Sequence, residues 1–469
     1  SVGWLAHALA YDADGGRPGR VLAACGRGLD ALDEHRMTLG STELRALATE
    51  HTRALSDLAL REALRADDRT LLEWTERTRA TTLLAPSVRG QRDPALAGKL
   101  AALRVVASRL DEARAAGLPT TWLERERHRH ETAIRAEQHH RKAGGADATR
   151  QLDVDELIDT VGEAALLELV DVDGSLYLVV VHKGTVERHE IGPLHDALQL
   201  IGYAQFQLRR VGRGAKVDLA DVGARFERAV LGDVVRQLAD APVVLVPPSR
   251  MHASPWGLAP SLLRRPFSVA PSAGMWLRAQ RIARPAEERI VLVAGPGLTS
   301  EGAEIRAVAA RRPDATMLDG DQAQTERVIE SIDGASLVHI AAHGKLRTDN
   351  PMFSELRLAD GPLTVYDFER LRRAPHRLVL SACDSGGAAT VGTDELLGLA
   401  TTVLGLGSAG VVASITVVDD AATVPVMENL HTSLEAGAGI AEAMLASREQ
   451  ALGSDIERAT AASFLGLGA

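Results

Sequence analysis

The chain has 469 residues, of which 45% are apolar, 25% charged and 3% aromatic, a balance that excludes a disordered or fibrous protein and allows two or three packed units. Its net charge of −10 argues against a nucleic-acid grip spread over the whole surface and leaves only a local basic patch open. No apolar run approaches the roughly 18 residues of a membrane span, and no basic-then-apolar leader opens the chain, so the expectation is a cytoplasmic protein with no direct nucleic-acid or membrane partner. A Ser at position 1 leaves open whether residues precede it.

From Ser1 to about Lys142 apolar residues recur at three- and four-residue steps, with Leu44, Leu47, Leu55, Leu58 and Leu64 on one such stripe. Further helical stretches run from Asp67 to Leu84 and between Pro94 and Ala116, and the breaks GGRPG, PSVRG and AGLP carry turn chemistry. Antiparallel helix pairs over residues 1–145 are therefore expected. They are tetratricopeptide-like in kind, although no clean self-similarity at about 34 residues is present. His128, His130, His139 and His140 lie in the tract HRHETAIRAEQHHRK, but no two of them stand at the i, i+4 spacing of a metal-binding helix. A solvated helix end is the expectation there, and no metal or cofactor is implied.

After the polar stretch KAGGADATRQ the texture changes. The runs ALLELV, SLYLVVV, PVVLVP, IVLVAGP, SLVHIAAHG, LVLSACDSG and GVVASI are strand length, and most precede a helical pattern. That alternation predicts an α/β fold with a largely parallel sheet flanked by helices. A boundary in the ARPAEER segment would divide it into residues 150–285 and 286–469.

The two cysteines, Cys25 and Cys383, are too few for a disulfide framework, so the question is whether either is reactive. Cys383 follows the apolar run RLVLSA and precedes DSGG, which places a thiol at the carboxyl end of a strand, where open α/β sheets bind ligands. The pair Gly386 and Gly387 would permit a tight turn and a close substrate backbone. His343 ends another strand run about forty residues earlier and is also followed by glycine. Neighbouring parallel strands bring their carboxyl ends to one edge, so imidazole and thiol could meet there, and caspases likewise carry a His roughly 50 residues before their Cys. His339, four residues deeper, reads as a packed or hydrogen-bonded histidine. GLGSAG lacks the first glycine of a nucleophile elbow, and AGPG after IVLVA reads as an ordinary strand-to-helix loop rather than a phosphate site.

The stretches PVVLVPPSRMHASPWGLAP, VAPSAGMW, SLVHIAAHG, PLTVYDFERL, LVLSACDSGGA, GLATTVLGLGSAGVVASITVVDDAAT and VPVMENLHTSLEAG, in this order, resemble the CHAT domain. This is a bacterial caspase-like domain, often attached to tetratricopeptide repeats and related to separase, caspase and gingipain cysteine peptidases. The resemblance implies a cysteine endopeptidase acting on a specific protein, with His343 and Cys383 as a catalytic dyad and the backbone N–H groups of Gly344 and Cys383 as the oxyanion donors. It implies that residues 150–285 form a caspase-like half without catalytic residues, in which His182, His189, His195 and His252 are structural or surface groups. It also implies regulation by a partner through the helical front, as in relatives switched on by a neighbouring defence component.

For the substrate pocket the resemblance points to Asp420, with Asp419 and Asp384 as neighbouring candidates, and hence to cleavage after a basic residue. Ser381 stands where metacaspases place an Asp, and Thr416 stands where the family usually has Trp. The other reading is a catalytically silent CHAT fold kept as a scaffold. The small residues kept around both His343 and Cys383 favour the enzyme.

Overall fold

The structure, a computed structural model, describes residues 2–15, 17–39, 53–79, 93–139, 152–345, 347, 351–383, 399–400, 402–416, 418–451 and 453–469. In chain order these form helices α1 (Val2–Ala13), α2 (Pro18–Met37), α3 (Arg53–Ala66), α4 (Asp68–Thr78), α5 (Pro94–Ala115), α6 (Thr121–His139) and α7 (Val154–Val161). Strands β1 (Ala165–Val172), β2 (Ser175–His182) and β3 (Thr185–Pro193) precede α8 (Leu194–Gly212) and α9 (Leu219–Leu231). Next come β4 (Val243–Val246), β5 (Phe267–Val269), α10 (Ala273–Gln280), β6 (Ile290–Ala294), α11 (Ala303–Arg311), β7 (Thr316–Leu318) and α12 (Thr325–Ile332). The remainder is β8 (Leu337–Lys345), β9 (Glu355–Leu358), β10 (Gly361–Thr364), α13 (Val365–Phe368), β11 (Arg377–Cys383), β12 (Gly410–Ser414), α14 (Asp420–Glu435), α15 (Ile440–Gln450), α16 (Asp455–Ala462) and β13 (Phe464–Gly468). Local chemistry sets many of the helix starts: Asp67, Asp93, Asp153 and Asp218 each accept a hydrogen bond from an N–H of the first turn, and Pro94 takes the first helical position of α5. Each apolar run expected as a strand is one.

Two compact units result: residues 1–87, 142–207 and 218–278, and residues 88–141, 208–217 and 279–469. In the first, β5, β4 and β1 are parallel neighbours, and β1, β2 and β3 continue as an antiparallel meander. In the second, the strand order is β7, β6, β8, β11, β12 with every pair parallel, and β13 pairs antiparallel with β12. The carboxyl end of β8 also pairs with β9, which pairs with β10. The central strands of this sheet are buried on both faces, as continuous apolar runs require.

The helices ahead of the strands pack within each unit. In the first unit Leu55 and Leu58 of α3 and Leu71 and Leu72 of α4 share one core with Leu166 and Val170 of β1 and Val244 of β4. Glu76 of α4, buried, accepts the N–H groups of Ala273 and Gly274 at the start of α10, at 2.7 and 2.8 Å. Just beyond α4, Arg79 donates to the carbonyl oxygens of Val246 and Leu169 and pairs with the buried Glu168 at 3.1 Å. In the second unit α5 and α6 pack on each other through Val106, Leu110 and Leu123. Arg104 of α5, only 4% exposed, reaches Asp367 and Glu326 at 3.2 and 3.1 Å. Arg127 of α6 pairs with Glu131 and Glu355, and Glu131 takes Arg347 at 2.6 Å. Leu44, Leu47 and His140 lie outside the described residues.

Arg104→Ala leaves the buried Asp367 with Arg370 as its remaining cation among the described residues. Loss of about 2 to 3 kcal/mol is expected, read as a lower urea midpoint for the second unit, because one partner of a buried pair has been removed. A midpoint within error of the wild type would show that the pair is neutral for stability. Cys25 of α2 is buried, and its thiol is pushed up to about 11 by burial, with Glu62 and Asp12 adding to the rise. Iodoacetamide at pH 8 is therefore expected to spare Cys25 in the folded protein and to modify it after denaturation, as peptide mapping would report.

Candidate active site

The second unit brings the two candidate catalytic residues to one level. Strands β8 and β11 run parallel in continuous register from Arg377 opposite Leu337 to Cys383 opposite His343. Cys383 is the last residue of its strand, and Gly344 follows His343 on the neighbouring one. A side chain added at Gly344 would stand 3.2 Å from the Ala382 Cβ, so glycine keeps this edge open.

His343 is half-buried, and its ring is held from the other side by a group that the sequence reading did not assign. Its Nε2 lies 2.8 Å from the carbonyl oxygen of Gly297, in the loop after β6. A carbonyl only accepts, so Nε2 carries a proton, and in the neutral ring it is Nδ1 that keeps the lone pair. Nδ1 has no hydrogen-bond partner among the described residues. Gly297 has φ +76°, a backbone state in which other residues are strained, and the His343 ring sits 3.8 Å from where its Cβ would be. The signal in the sequence was AGPG, read there as an ordinary loop. The group that holds the His343 ring is thus a backbone carbonyl, which no side-chain pattern can announce.

Asp420 opens α14 and is half-buried; its Oδ2 accepts the N–H of Thr299 at 3.0 Å and of Ser300 at 3.4 Å. It thereby anchors the same loop whose Gly297 holds His343. Asp419 is the N-cap of α14 and accepts the Ala422 N–H at 2.9 Å. Thr416 is partly buried, with its hydroxyl unpartnered among the described residues. Asp384, Gly386 and Gly387 lie outside the described residues.

One layer below the dyad level runs a buried polar chain. His339 lies on the same face of β8 as His343 by strand alternation, and it is fully buried. Its Nε2 is 2.8 Å from the Ser381 Oγ, and its Nδ1 is 3.0 Å from the Nε2 of His431 on α14. Ser381 in turn donates to Glu304 Oε1 of α11 at 2.7 Å. Burial holds His339 well below the ordinary histidine range, with His431 adding to it, and drives His431 down to about 4, helped by Arg312 and Arg311. Burial lifts the Glu304 carboxyl to about 7; Ser381 opposes the rise and Asp420 adds to it. His339 was legible as a packed histidine. Glu304 and His431 carried no local signal, because each owes its place to a distant strand.

Elsewhere, His252 is pushed down to about 4 by burial and then by Arg79, His182 Nδ1 lies 2.9 Å from the carbonyl of Ala164, and His195 lies 2.9 Å from Gln199. No group of His, Cys, Asp and Glu that could hold a metal occurs among the described residues, and no described helix is long and apolar enough to cross a membrane.

A family model described as the CHAT domain matches residues 223–464. Two crystal structures of the Saccharomyces cerevisiae separase–securin complex overlay with TM-scores of 0.54 and 0.51, at 12% and 10% identity, each over 96% of this chain and 37% of the separase chain. The Arg-specific cysteine proteinase gingipain R of Porphyromonas gingivalis overlays with a TM-score of 0.36 at 13% identity, over 58% of this chain and 74% of its own. The chain spans a little over a third of the separase chains that it matches, and comparison with curated proteins finds no sequence match. With more than half of its residues matched by the family model, and helices around a mostly parallel sheet shared with separase, the chain belongs to the CHAT family and has a caspase-like fold.

Proposed function

We propose that this protein is a cysteine endopeptidase in which Cys383 is the nucleophile and His343 the general acid and base. The observation that carries the reading is the register of Cys383 opposite His343, together with the Gly297 carbonyl that fixes the ring and leaves Nδ1 without a partner among the described residues. The thiol proton passes to Nδ1 of His343, and the thiolate attacks the peptide carbonyl carbon. The N–H groups of Gly344 and Cys383 stabilise the resulting oxyanion. The intermediate collapses to a thioester as His343 delivers its proton to the leaving amine, and water, deprotonated by the same ring, releases the acid and restores the thiol.

The substrate is one or a few proteins in the cytoplasm rather than bulk protein, cut after a basic residue, with acidic groups near Ser381, Asp419, Asp420 and Thr416 forming the pocket. Helices that share cores with each unit support regulation by a protein partner, since a partner bound to them would act on packed elements. The separase neighbours were themselves solved bound to securin.

Cys383→Ala and His343→Ala are each expected to lower peptide hydrolysis by about a thousandfold or more while thermal unfolding stays that of the wild type. Labelling by a peptide ketone should disappear in Cys383→Ala and persist in Cys25→Ala. Turnover by either dyad variant close to the wild-type rate would remove the peptidase reading, and a wild type that never labels would leave a silent scaffold.

A further inference from the structure

Two of the acids suggested by resemblance, Asp420 and Asp419, are already engaged. Both bonds given to Asp420 are to backbone N–H groups of its loop, and Asp419 caps its helix. Glu304 is different: it is 6% exposed, Oε1 takes the Ser381 hydroxyl, and Oε2 has no hydrogen-bond partner among the described residues. It forms no ion pair among the described residues either.

We infer that Glu304 is the acid that reads a basic side chain of the substrate, held in place by Ser381. This rests on the peptidase reading and names the residue that sets its substrate class. Positions 381 and 383 share a face of β11 and stand about 6.6 Å apart along the strand. That is close to the reach of an extended Arg or Lys side chain, about 6 to 7 Å from its Cα. A substrate residue whose carbonyl lies at Cys383 can therefore bring a cation to the depth of Ser381, where the Glu304 carboxylate stands 2.7 Å from the hydroxyl. A buried carboxylate without a cation is costly, and an incoming guanidinium supplies both the charge and the donors that Oε2 lacks.

The groups around Glu304 are Ser381 on β11, His339 on β8, and Asp420 and His431 on α14, while β6 is apolar throughout. Both histidines are held low and stay neutral near pH 7, so among the described residues the charges that act on Glu304 are its own and that of Asp420. With its carboxyl raised to about 7, Glu304 is neutral at pH 5.5 and charged at pH 8 in the free protein. A basic side chain is therefore recognised better as pH rises, and a bound cation moves the transition below 7.

The test compares two peptidyl ketones that differ only in arginine or its uncharged isostere citrulline at the reacting residue. Rates of labelling at Cys383 are read by mass spectrometry from pH 5.5 to 8. The wild type is expected to favour the arginine probe by roughly 100-fold at pH 8, with the ratio falling several-fold or more toward pH 5.5. Glu304→Gln, which keeps the bond to Ser381, is expected to show a ratio below about fivefold at every pH. Labelling by neither probe would overturn the peptidase reading and this assignment together. Equal labelling of the wild type by both would overturn the basic preference alone. An arginine preference that does not change with pH, or that survives in Glu304→Gln, would take the contact away from Glu304. Should Glu304→Gln fail to fold, the wild-type pH profile decides.

Discussion

The parallel, unshifted pairing of β8 with β11 is the constraint on which the rest of the site depends. Two strands about forty residues apart in sequence are paired so that position 383, the last of β11, stands opposite His343, two residues before the end of β8. A slip of one residue would exchange the faces on which the positions of one strand lie. Strand β6 lies on the far side of β8 and must leave the sheet over Ala342. There Gly295 is required: a Cβ on it would stand 2.5 Å from the Arg357 carbonyl oxygen and 2.8 Å from the Ala342 Cβ. Its N–H donates to the Ala341 carbonyl at 2.7 Å, which carries the chain to the point where Gly297 meets His343.

Beneath that edge the sheet tolerates four polar side chains because they satisfy one another in sequence. With both imidazoles neutral, His431 Nε2–H donates to His339 Nδ1, His339 Nε2–H donates to Ser381 Oγ, and Ser381 donates to Glu304. Each neutral ring has one donor and one acceptor, and the chain uses both on His339. The two rings also stack, with centroids 5.1 Å apart and planes 23° from parallel. Among the described residues the Oε2 of Glu304 is where this satisfaction stops.

The helices ahead of the sheets are tied in by buried charge more than by aromatic packing, as expected for a chain with only 3% aromatic residues. In the first unit Glu76 and Arg79 each take backbone groups of residues far along the chain. In the second, Arg104, Arg127 and Glu131 pair with Asp367, Glu355 and Arg347, and Glu355 stands opposite Lys345, two residues past His343. Such pairs add specificity of geometry, since each side chain has to find its own partner or remain a buried, unpaired charge.

The α/β alternation, the strand runs and the place of Cys383 at the end of its strand were legible in the sequence, whereas β8 continues two residues beyond His343. They rest on periodicity and on neighbours a few residues away. Helix starts such as Pro94 after Asp93 were legible for the same reason. Which strands are adjacent, that a carbonyl at Gly297 orients the histidine, that Asp420 is spent on the loop carrying that carbonyl, and that Glu304 lies under Ser381 were decided only in the tertiary structure. These are contacts between segments about forty to more than a hundred residues apart, and no local pattern encodes the pairing of a backbone oxygen or a buried carboxylate with a strand that distant.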